Sequence, residues 1–369
     1  MNRNWDATRD QDADFLVGQV SSKYRRVFAG PEFSAAQRRA IYRYLFAGRP
    51  RKLPPSLRSR VVCLYDPLAD RSSRFPDGLR WCVNVYVGCA HGCGYCYVNG
   101  YLREEVGEAA RRKQAFREGF LRDIEELEGL GVPAAPLHLS NSTDPLQAAL
   151  ETEHRDCLFA LREIACRRKR FTSITILTKN PALLCDAPYL EVVSDPGFRP
   201  LTVQVTCAFW RDEARAFYEP EAPPVAERLA AIERLAKAGV AVELRIDPLF
   251  PATDVDSAIR GHRPLSEYGL PEAQTREDLE ALVEFSRSTG VQVIVAKPLK
   301  VVVRGHGAPA KNWFGQLYAD AGGGTRTMRG GTWRLPEPYQ QVLLARVRQA
   351  AQGSGVSVRH CLHDLLTRS

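Results

Sequence analysis

Short apolar runs alternate with longer amphipathic segments from residue 81 onward, and this alternation limits the folds open to the chain. Repeated strand–helix units of this kind are typical of a parallel sheet, because each helix returns the chain to the edge where the next strand begins. The predicted strands cover residues 81–87, 136–140, 172–178, 200–206, 240–246 and 291–296. Six such units predict an α/β fold, a partial (β/α)6 TIM-type barrel that is open on one side.

Three regions are expected along the 369 residues. Residues 1–75 are predicted to form an N-terminal extension, with helical character between Ala35 and Phe46. Residues 76–300 form the core barrel, and residues 301–369 a C-terminal extension that covers the active site. A barrel of alternating strands and helices commonly reaches this length as one unit, so the chain can bury one large core.

Three cysteines, Cys89, Cys93 and Cys96, follow the first predicted strand in a CxxxCxxC loop that also contains three glycines. A [4Fe-4S] cluster takes four ligands, so three neighbouring thiolates would leave one iron for a ligand that is not protein. The alternative is a structural zinc site completed by His91 or by a distant cysteine. Zinc sites usually combine one CxxC pair with a second pair of ligands far along the chain, so the spacing favours the cluster.

Polar residues follow the next four predicted strands as well. They are Ser140, Asn141, Ser142, Thr143 and Asp144 after the second strand, Thr178, Lys179 and Asn180 after the third, Thr206 and Cys207 after the fourth, and Asp247 after the fifth. Taken singly, the Asp–Pro and Asn–Pro pairs among them suit ordinary turns. Because chemistry in such barrels gathers at the carboxyl ends of the strands, their joint occurrence favours a shared binding site next to the cysteines.

Composition narrows the class of protein further. Apolar residues make up 44% and charged residues 25% of the chain, which is ordinary for a globular protein. No apolar segment approaches the roughly 20 residues that span a bilayer, and the polar start lacks the apolar core of a signal peptide. We therefore expect a cytoplasmic protein without a membrane partner, whose 10 cysteines are reduced thiols.

The net charge of +8 gives a modest bias toward an anionic partner. Basic residues cluster at residues 49–60 and 167–170. Each cluster suits either phosphate contact or a solvated basic surface.

The run from Gly88 to Tyr97 resembles the cysteine motif of the radical S-adenosylmethionine (radical SAM) superfamily, in which an aromatic residue, here Tyr95, precedes the last cysteine. Two further stretches are similar to the spore photoproduct lyase-like group of that superfamily, also described as DNA repair photolyase-like. They are residues 142–147 and residues 219–249, and the likeness covers about residues 80–300.

The resemblance implies an enzyme of the lyase or transferase class that binds a [4Fe-4S] cluster through the three loop cysteines. It also implies reductive cleavage of S-adenosyl-L-methionine (AdoMet), with electrons from an external donor of the flavodoxin or ferredoxin type. By position, Tyr95 would contact the adenine, Ser140 or Ser142 the methionyl amino group, Lys179 the carboxylate and Thr206 the ribose.

The chain departs from true spore photoproduct lyases at one position. Those enzymes have a cysteine hydrogen-atom donor just before the turn after the second strand, and Asn141 occupies about that place here. Asparagine cannot donate a hydrogen atom to a carbon radical, because its N–H bonds are too strong. Cys207 is a candidate catalytic replacement, with a buried structural thiol as the alternative. The second substrate is therefore left open between nucleic acid and a small molecule.

The C-terminal residues His360, Cys361 and His363 place one thiol and two imidazoles within four residues. Such soft ligands suit a thiophilic metal or metalloid. This tail resembles the C-terminal motif of the radical SAM enzyme of arsinothricin biosynthesis, which transfers a 3-amino-3-carboxypropyl group to arsenic. The resemblance implies a catalytic role for Cys361 toward a metalloid substrate, with a buried structural cysteine as the alternative. A zinc-stabilised nucleic-acid-binding protein is a third hypothesis, which the six strand–helix units disfavour.

Overall fold

The computed structural model describes residues 33–46, 60–65, 79–100, 110–198, 200–252, 263–302, 325–327 and 332–360, together with residues 317 and 320. The described strands are β1 (Cys63–Leu64), β2 (Trp81–Val83), β3 (Tyr86–Val87), β4 (Arg111–Arg112), β5 (Leu137–Leu139), β6 (Ile174–Thr178), β7 (Leu201–Thr206), β8 (Val242–Leu249), β9 (Val293–Pro298), β10 (Lys300–Val302), β11 (Thr325–Thr327), β12 (Thr332–Arg334) and β13 (Ser357–His360). The described helices are α1 (Ala35–Phe46), α2 (Phe116–Gly129), α3 (Ala148–His154), α4 (Asp156–Cys166), α5 (Ala187–Val193), α6 (Asp212–Tyr218), α7 (Val225–Lys237), α8 (Arg276–Thr289) and α9 (Glu337–Ala350).

An eight-stranded sheet forms the centre of the fold, with the order β1-β2-β5-β6-β7-β8-β9-β13. β1 pairs antiparallel with β2, and every other neighbouring pair in this sheet is parallel. β1 and β13 stand at the two ends of this order, so the described sheet is open, as the sequence predicts. The mixed α/β fold with a parallel sheet is thereby confirmed.

Apolar side chains explain why these segments pack as they do. On β6, Ile174 and Ile176 are buried while Thr175 and Leu177 are half-buried, which is the alternation of a strand with two different faces. α7 buries Ile232 and Leu235 on one stripe. Seven strands run parallel, and each needs a return connection, which the helices supply while they cover the sheet.

Helix α8 shows how local sequence sets the ends of these connections. The side chain of Thr275 accepts a hydrogen bond from the Asp278 backbone, and the Asp278 side chain accepts one from the Thr275 backbone. This capping box satisfies two backbone donors at the start of the helix. The helix ends at Gly290, whose φ of 78° is left-handed and therefore suits glycine.

Two differences from the predicted strands are informative. The run at 81–87 is divided into β2 and β3, because Asn84 between them bonds elsewhere: its carbonyl accepts from Lys113 Nζ at 2.6 Å and its side-chain oxygen from the Ser142 backbone at 3.1 Å. β3 then pairs with β4 in a separate two-stranded sheet. β13 is a further parallel strand that the sequence does not predict, because its four residues include a single apolar side chain, Val358.

The predicted extensions contribute described elements to the core. α1 packs on β2, where the rings of Tyr44 and Trp81 meet edge to face at 5.2 Å and Tyr44 donates to the Val62 carbonyl at 2.7 Å. α9 and β13 lie within residues 301–369, and β13 continues the sheet beyond β9. Among the described helices, none combines the length and apolarity needed to cross a membrane.

Candidate active site

A cavity opens at the carboxyl edge of the parallel strands, beside the cysteine loop. The space that a water-sized molecule can enter in it has a volume of about 140 Å³. The lining residues fall into three groups by position in the chain: the cysteine loop supplies Cys89, His91, Cys93, Tyr95, Cys96, Tyr97 and Val98; the ends of β5, β6 and β7 and the turns after them supply Asn141, Ser142, Thr143, Asp144, Leu177, Thr178, Lys179 and Thr206; and the segments of β8, β9 and β10 supply Arg245, Asp247, Pro248, Lys297, Pro298, Leu299 and Lys300. The edge predicted from the sequence therefore carries one shared cavity.

The cysteine loop follows β3 directly and turns tightly. Gly88 and Gly92 have left-handed φ values of 67° and 59°, a conformation that side chains with a Cβ rarely adopt. A further turn is closed by a hydrogen bond from the Cys96 backbone to the Cys93 carbonyl at 3.0 Å. The loop thus brings all three of its cysteines onto the cavity wall.

The turn after β5 anchors this loop. The Gln147 side chain accepts from the Ala90 backbone at 2.7 Å and donates to the Gly88 carbonyl at 3.2 Å. His91 Nε2 lies 2.9 Å from Asp144 Oδ2, and both side chains are buried. These bonds explain the motif at residues 142–147, whose side chains fix the position of the cysteine loop.

Asp144 links the loop to β6 as well. Its carboxylate accepts from Thr178 Oγ1 at 2.8 Å and from the Lys179 backbone at 2.7 Å. Burial opposes the charged form, but the hydrogen bond from His91 and these backbone donors hold the pKa of Asp144 below its usual range. His91, the histidine named in the zinc hypothesis, contacts this carboxylate through Nε2.

A buried ionic cluster lies behind the loop, and sequence reasoning did not identify it. Glu219 is fully buried and accepts a hydrogen bond from the Tyr95 hydroxyl. Its carboxylate lies 2.6 Å from Arg228 Nη2 and 3.6 Å from Lys179 Nζ. Arg228 also donates to the Thr206 carbonyl at 3.1 Å, which ties the cluster to the end of β7. The sequence hints at this cluster in one way: Glu219 and Arg228 both lie in the stretch 219–249, which is similar to the spore photoproduct lyase-like group.

Burial also shapes the chemistry of the thiols. It raises the pKa of Cys93 to about 12, although nearby Lys179 favours the thiolate, and it raises the pKa of Cys89 well above its usual range. Such thiols need a metal centre to displace their protons, since a coordinating thiol is deprotonated by the metal. Among the described residues no three His, Cys, Asp or Glu side chains are already arranged to hold a metal ion. None of the nine described cysteines forms a disulfide.

The structure separates the predicted site residues into groups. Tyr95, Ser142, Lys179 and Thr206 line the cavity together with the three cysteines, and Asn141 does so as well. Ser140 does not line it: this fully buried residue has a left-handed φ of 62° and accepts from Thr143 Oγ1 at 3.3 Å.

Of the two cysteines predicted to be catalytic, the structure describes Cys207 alone. Cys207 is fully buried and outside the cavity lining, with its Sγ 3.4 Å from the Phe209 carbonyl. Burial raises its pKa to about 12. Successive strand residues face opposite ways, which explains why Thr206 lines the cavity and its neighbour does not. Cys361 lies outside the described residues.

Arg245, Lys297 and Lys300 are cavity residues that the sequence analysis did not single out. A signal was present in β8, where Glu243, Arg245 and Asp247 alternate with apolar residues and so share one face. The inner face of a barrel strand usually carries apolar side chains, so charged residues there indicate a site. Of these three, Arg245 and Asp247 line the cavity.

The basic cluster at residues 167–170 is engaged within the protein. Arg167 pairs with Glu163 at 2.5 Å and Arg168 with Asp195 at 2.6 Å. Arg170 donates to the Val132 carbonyl at 2.7 Å. These contacts favour a solvated basic surface over a phosphate-binding site for this cluster. Of the cluster at residues 49–60, all but Arg60 lie outside the described residues.

The chain was compared with known proteins by sequence and by structure. No protein-family model matches the chain. An uncharacterised protein of the Acidianus two-tailed virus is 22% identical over 231 residues, which are 59% of this chain and 67% of that protein. An uncharacterised protein of Mycobacterium tuberculosis is 27% identical over 176 residues, 47% of this chain, and the match spans half of that protein's length.

Solved structures of spore photoproduct lyase share the fold. The enzyme complexed with dinucleoside spore photoproduct is 14% identical, with a TM-score of 0.53 over 85% of this chain and 87% of that one. A variant with bound AdoMet and dinucleoside spore photoproduct is also 14% identical, with a TM-score of 0.52 over 93% of this chain and 87% of that one. The resemblance to the spore photoproduct lyase-like group is thereby confirmed at the level of the fold.

Proposed function

We propose that this chain is a radical SAM enzyme that binds a [4Fe-4S] cluster and AdoMet in the cavity at the carboxyl edge of its sheet. One observation carries the proposal: the three thiols of a single loop line the same cavity as Ser142, Lys179 and Thr206. The fold around that cavity is shared with spore photoproduct lyase, of which a variant has been solved with bound AdoMet.

The residues present fit a cluster, because three thiols of one loop line the same cavity. The protein would thus supply three of the four ligands of a [4Fe-4S] cluster and leave the fourth to AdoMet. When bound, the cluster would supply the electron that breaks a carbon–sulfur bond of AdoMet.

The other cavity residues would bind and orient AdoMet. The Lys179 ammonium sits 5.5 Å from the centre of the Tyr95 ring, a position suited to the AdoMet carboxylate. Ser142 and Thr206 offer hydroxyl groups for the amino group and the ribose. The Tyr95 ring is held by its bond to Glu219 and by edge contact with Phe250 at 5.4 Å, so it offers the adenine a fixed apolar surface.

Anaerobic reconstitution with iron and sulfide tests this proposal. We expect the wild-type protein to take up four irons per chain and, after reduction with dithionite, to convert AdoMet to 5′-deoxyadenosine or to a methylthioadenosine product. Cys89→Ala, Cys93→Ala and Cys96→Ala should each lose the cluster absorbance and the product, because each removes one thiolate ligand.

The matched control is Cys166→Ala, which changes an exposed thiol at the end of α4. It should reconstitute like the wild type. Uptake of zinc without iron, or a cluster that yields neither nucleoside product, would contradict the proposal. The identity of the nucleoside also distinguishes the two carbon–sulfur bonds and hence a deoxyadenosyl radical enzyme from a 3-amino-3-carboxypropyl transferase.

A second candidate concerns the substrate. Asn141 lines the cavity where spore photoproduct lyases have a cysteine, so a thiol hydrogen-atom donor is missing from that place. β13 ends at His360, which pairs in register with Ala296, the residue before cavity-lining Lys297. Cys361 follows His360 in the chain. This arrangement supports transfer to a small thiol-bound acceptor, such as a metalloid, over repair of spore photoproduct; a nucleic-acid substrate is the alternative.

A further inference from the structure

The side of the cavity formed by β8, β9 and β10 is rich in positive charge. Four charged side chains line it: Arg245, Asp247, Lys297 and Lys300, called here the basic wall. Among the described residues of this wall, three cations accompany one carboxylate. Nothing in the proposed binding of AdoMet uses these four residues.

Asp247 joins two cations of the basic wall. Its carboxylate lies 2.5 Å from Arg245 Nη2 and 3.9 Å from Lys297 Nζ. Burial opposes ionisation, but Lys297, Arg245 and Lys300 together lower the pKa of Asp247 to about 2. The carboxylate is therefore charged at neutral pH, and its single charge is shared among three cations.

Hydrogen bonds to neighbouring side chains hold the Arg245 guanidinium in place. Arg245 Nη1 donates to Gln204 Oε1 at 2.9 Å, and Gln204 Nε2 donates to Glu243 Oε2 at 2.8 Å. The Arg245 side chain is only 7% exposed and that of Lys297 20% exposed. Charges held at such depth cost solvation energy, which an anionic ligand in the cavity would recover.

AdoMet does not supply that anion. AdoMet carries a sulfonium cation in addition to its ammonium and carboxylate groups, so it adds positive charge. Its carboxylate is assigned to Lys179, whose own counter-ion is Glu219 at 3.6 Å. The cluster would be held by thiols of the loop that follows β3, whereas the basic wall belongs to β8, β9 and β10. The basic wall is therefore available to a second ligand.

We propose that the basic wall is an anion subsite that binds a phosphate or carboxylate group of the second substrate next to AdoMet. This subsite rests on the proposed function, because a second substrate exists only if the chain is a radical SAM enzyme. The second substrate would then be a small molecule that carries an oxyanion. Lysine ammonium groups bind oxyanions as point charges, and an arginine fork adds directional hydrogen bonds. Lys300 Nζ lies 5.6 Å from the centre of the Tyr97 ring, so the subsite borders the cysteine loop.

Anion binding by the purified full-length chain tests the proposal, with inorganic phosphate and acetate as probes at constant ionic strength. Isothermal titration should detect binding of one of the two anions to the wild type. Lys297→Gln and Lys300→Gln should each weaken it by about tenfold or more, the size of one lost charge-assisted hydrogen bond. Lys237→Gln is the matched control, because Lys237 is 73% exposed on α7 and pairs with Glu233.

The outcomes distinguish the possibilities. Preference for phosphate indicates a phosphorylated substrate and preference for acetate a carboxylic acid, and both support the subsite. Equal weakening by Lys237→Gln, or no anion binding at all, overturns it. So does loss of AdoMet affinity in Lys297→Gln, because the basic wall would then bind the AdoMet carboxylate.

The probes need neither cluster nor AdoMet, so this test is independent of the proposed function. A chain that binds the anions at the basic wall but takes up no cluster keeps the subsite and loses the radical SAM proposal. A chain that assembles the cluster and cleaves AdoMet but binds neither anion gives the opposite result. Urea unfolding of each variant shows whether weaker binding reflects a misfolded protein.

Discussion

Glu219 connects three separate segments of the candidate site. Its buried carboxylate accepts from Tyr95 in the cysteine loop and pairs with Lys179 after β6 and Arg228 on α7. Burial opposes ionisation, yet the two cations hold the pKa of Glu219 below its usual range. One side chain therefore sets the positions of two residues assigned to AdoMet binding.

We predict that Glu219→Gln lowers the free energy of unfolding by about 3–5 kcal/mol, because it leaves the buried Arg228 guanidinium without its counter-ion. Urea denaturation followed by circular dichroism measures the effect. Glu233→Gln is the control: Glu233 forms an exposed pair with Lys237, and its loss should cost less than about 1 kcal/mol. A Glu219→Gln variant as stable as the control would show that the buried cluster contributes little.

At the scale of elements, the cysteine loop depends on the turn between β5 and α3. Gln147 is buried, and its amide bonds to both the Ala90 nitrogen and the Gly88 carbonyl. The loop has no regular secondary structure of its own to hold the cysteines. Its geometry is therefore fixed by contacts to residues more than fifty positions away in the chain.

We predict that Gln147→Leu destabilises the protein by about 2 kcal/mol, because it leaves buried backbone groups of the loop without partners. We also expect lower iron content after reconstitution, since the loop would no longer present its thiols together. The iron assay and urea unfolding measure these two effects. Gln341→Leu on the exposed surface of α9 is the control, and equal iron content in the two variants would contradict the anchoring role.

At the scale of the whole molecule, the parallel sheet brings distant segments to one edge. β13 extends this edge beyond β9, and Arg359 on β13 pairs with Glu243 on β8. Glu243 in turn accepts from Gln204, which accepts from Arg245. A continuous polar network therefore links the C-terminal strand to the basic wall.

This link bears on the tail that follows β13. If Cys361 binds a metalloid acceptor, Cys361→Ser should abolish transfer from AdoMet to arsenite, because a hydroxyl group binds arsenic(III) far more weakly than a thiolate. Cluster content should be unchanged. Mass spectrometry of the arsenic products measures the transfer, with Cys166→Ser as the control thiol. Full transfer by Cys361→Ser would show that the tail has no catalytic role.

The predictions from sequence succeed where the signal is local. Five of the six predicted strands are present as single strands, the run at 81–87 forms β2 and β3, and the loop of Cys89, Cys93 and Cys96 follows this run at the predicted edge. β13 escaped prediction because a short strand at the end of a sheet carries no apolar alternation. Ser140 and Cys207 were separated from the cavity by backbone geometry that residue type does not reveal.

The alternating elements, the spacing of the three thiols and the edge on which they lie can be predicted from the sequence, because they follow from periodicity and from neighbours in the chain. The groups that surround these thiols depend on tertiary contacts. The contact between Tyr95 and Glu219, and that between Arg245 and Lys297 across Asp247, join residues from different strand ends. Such pairings depend on how the whole sheet is assembled, and no local pattern encodes them.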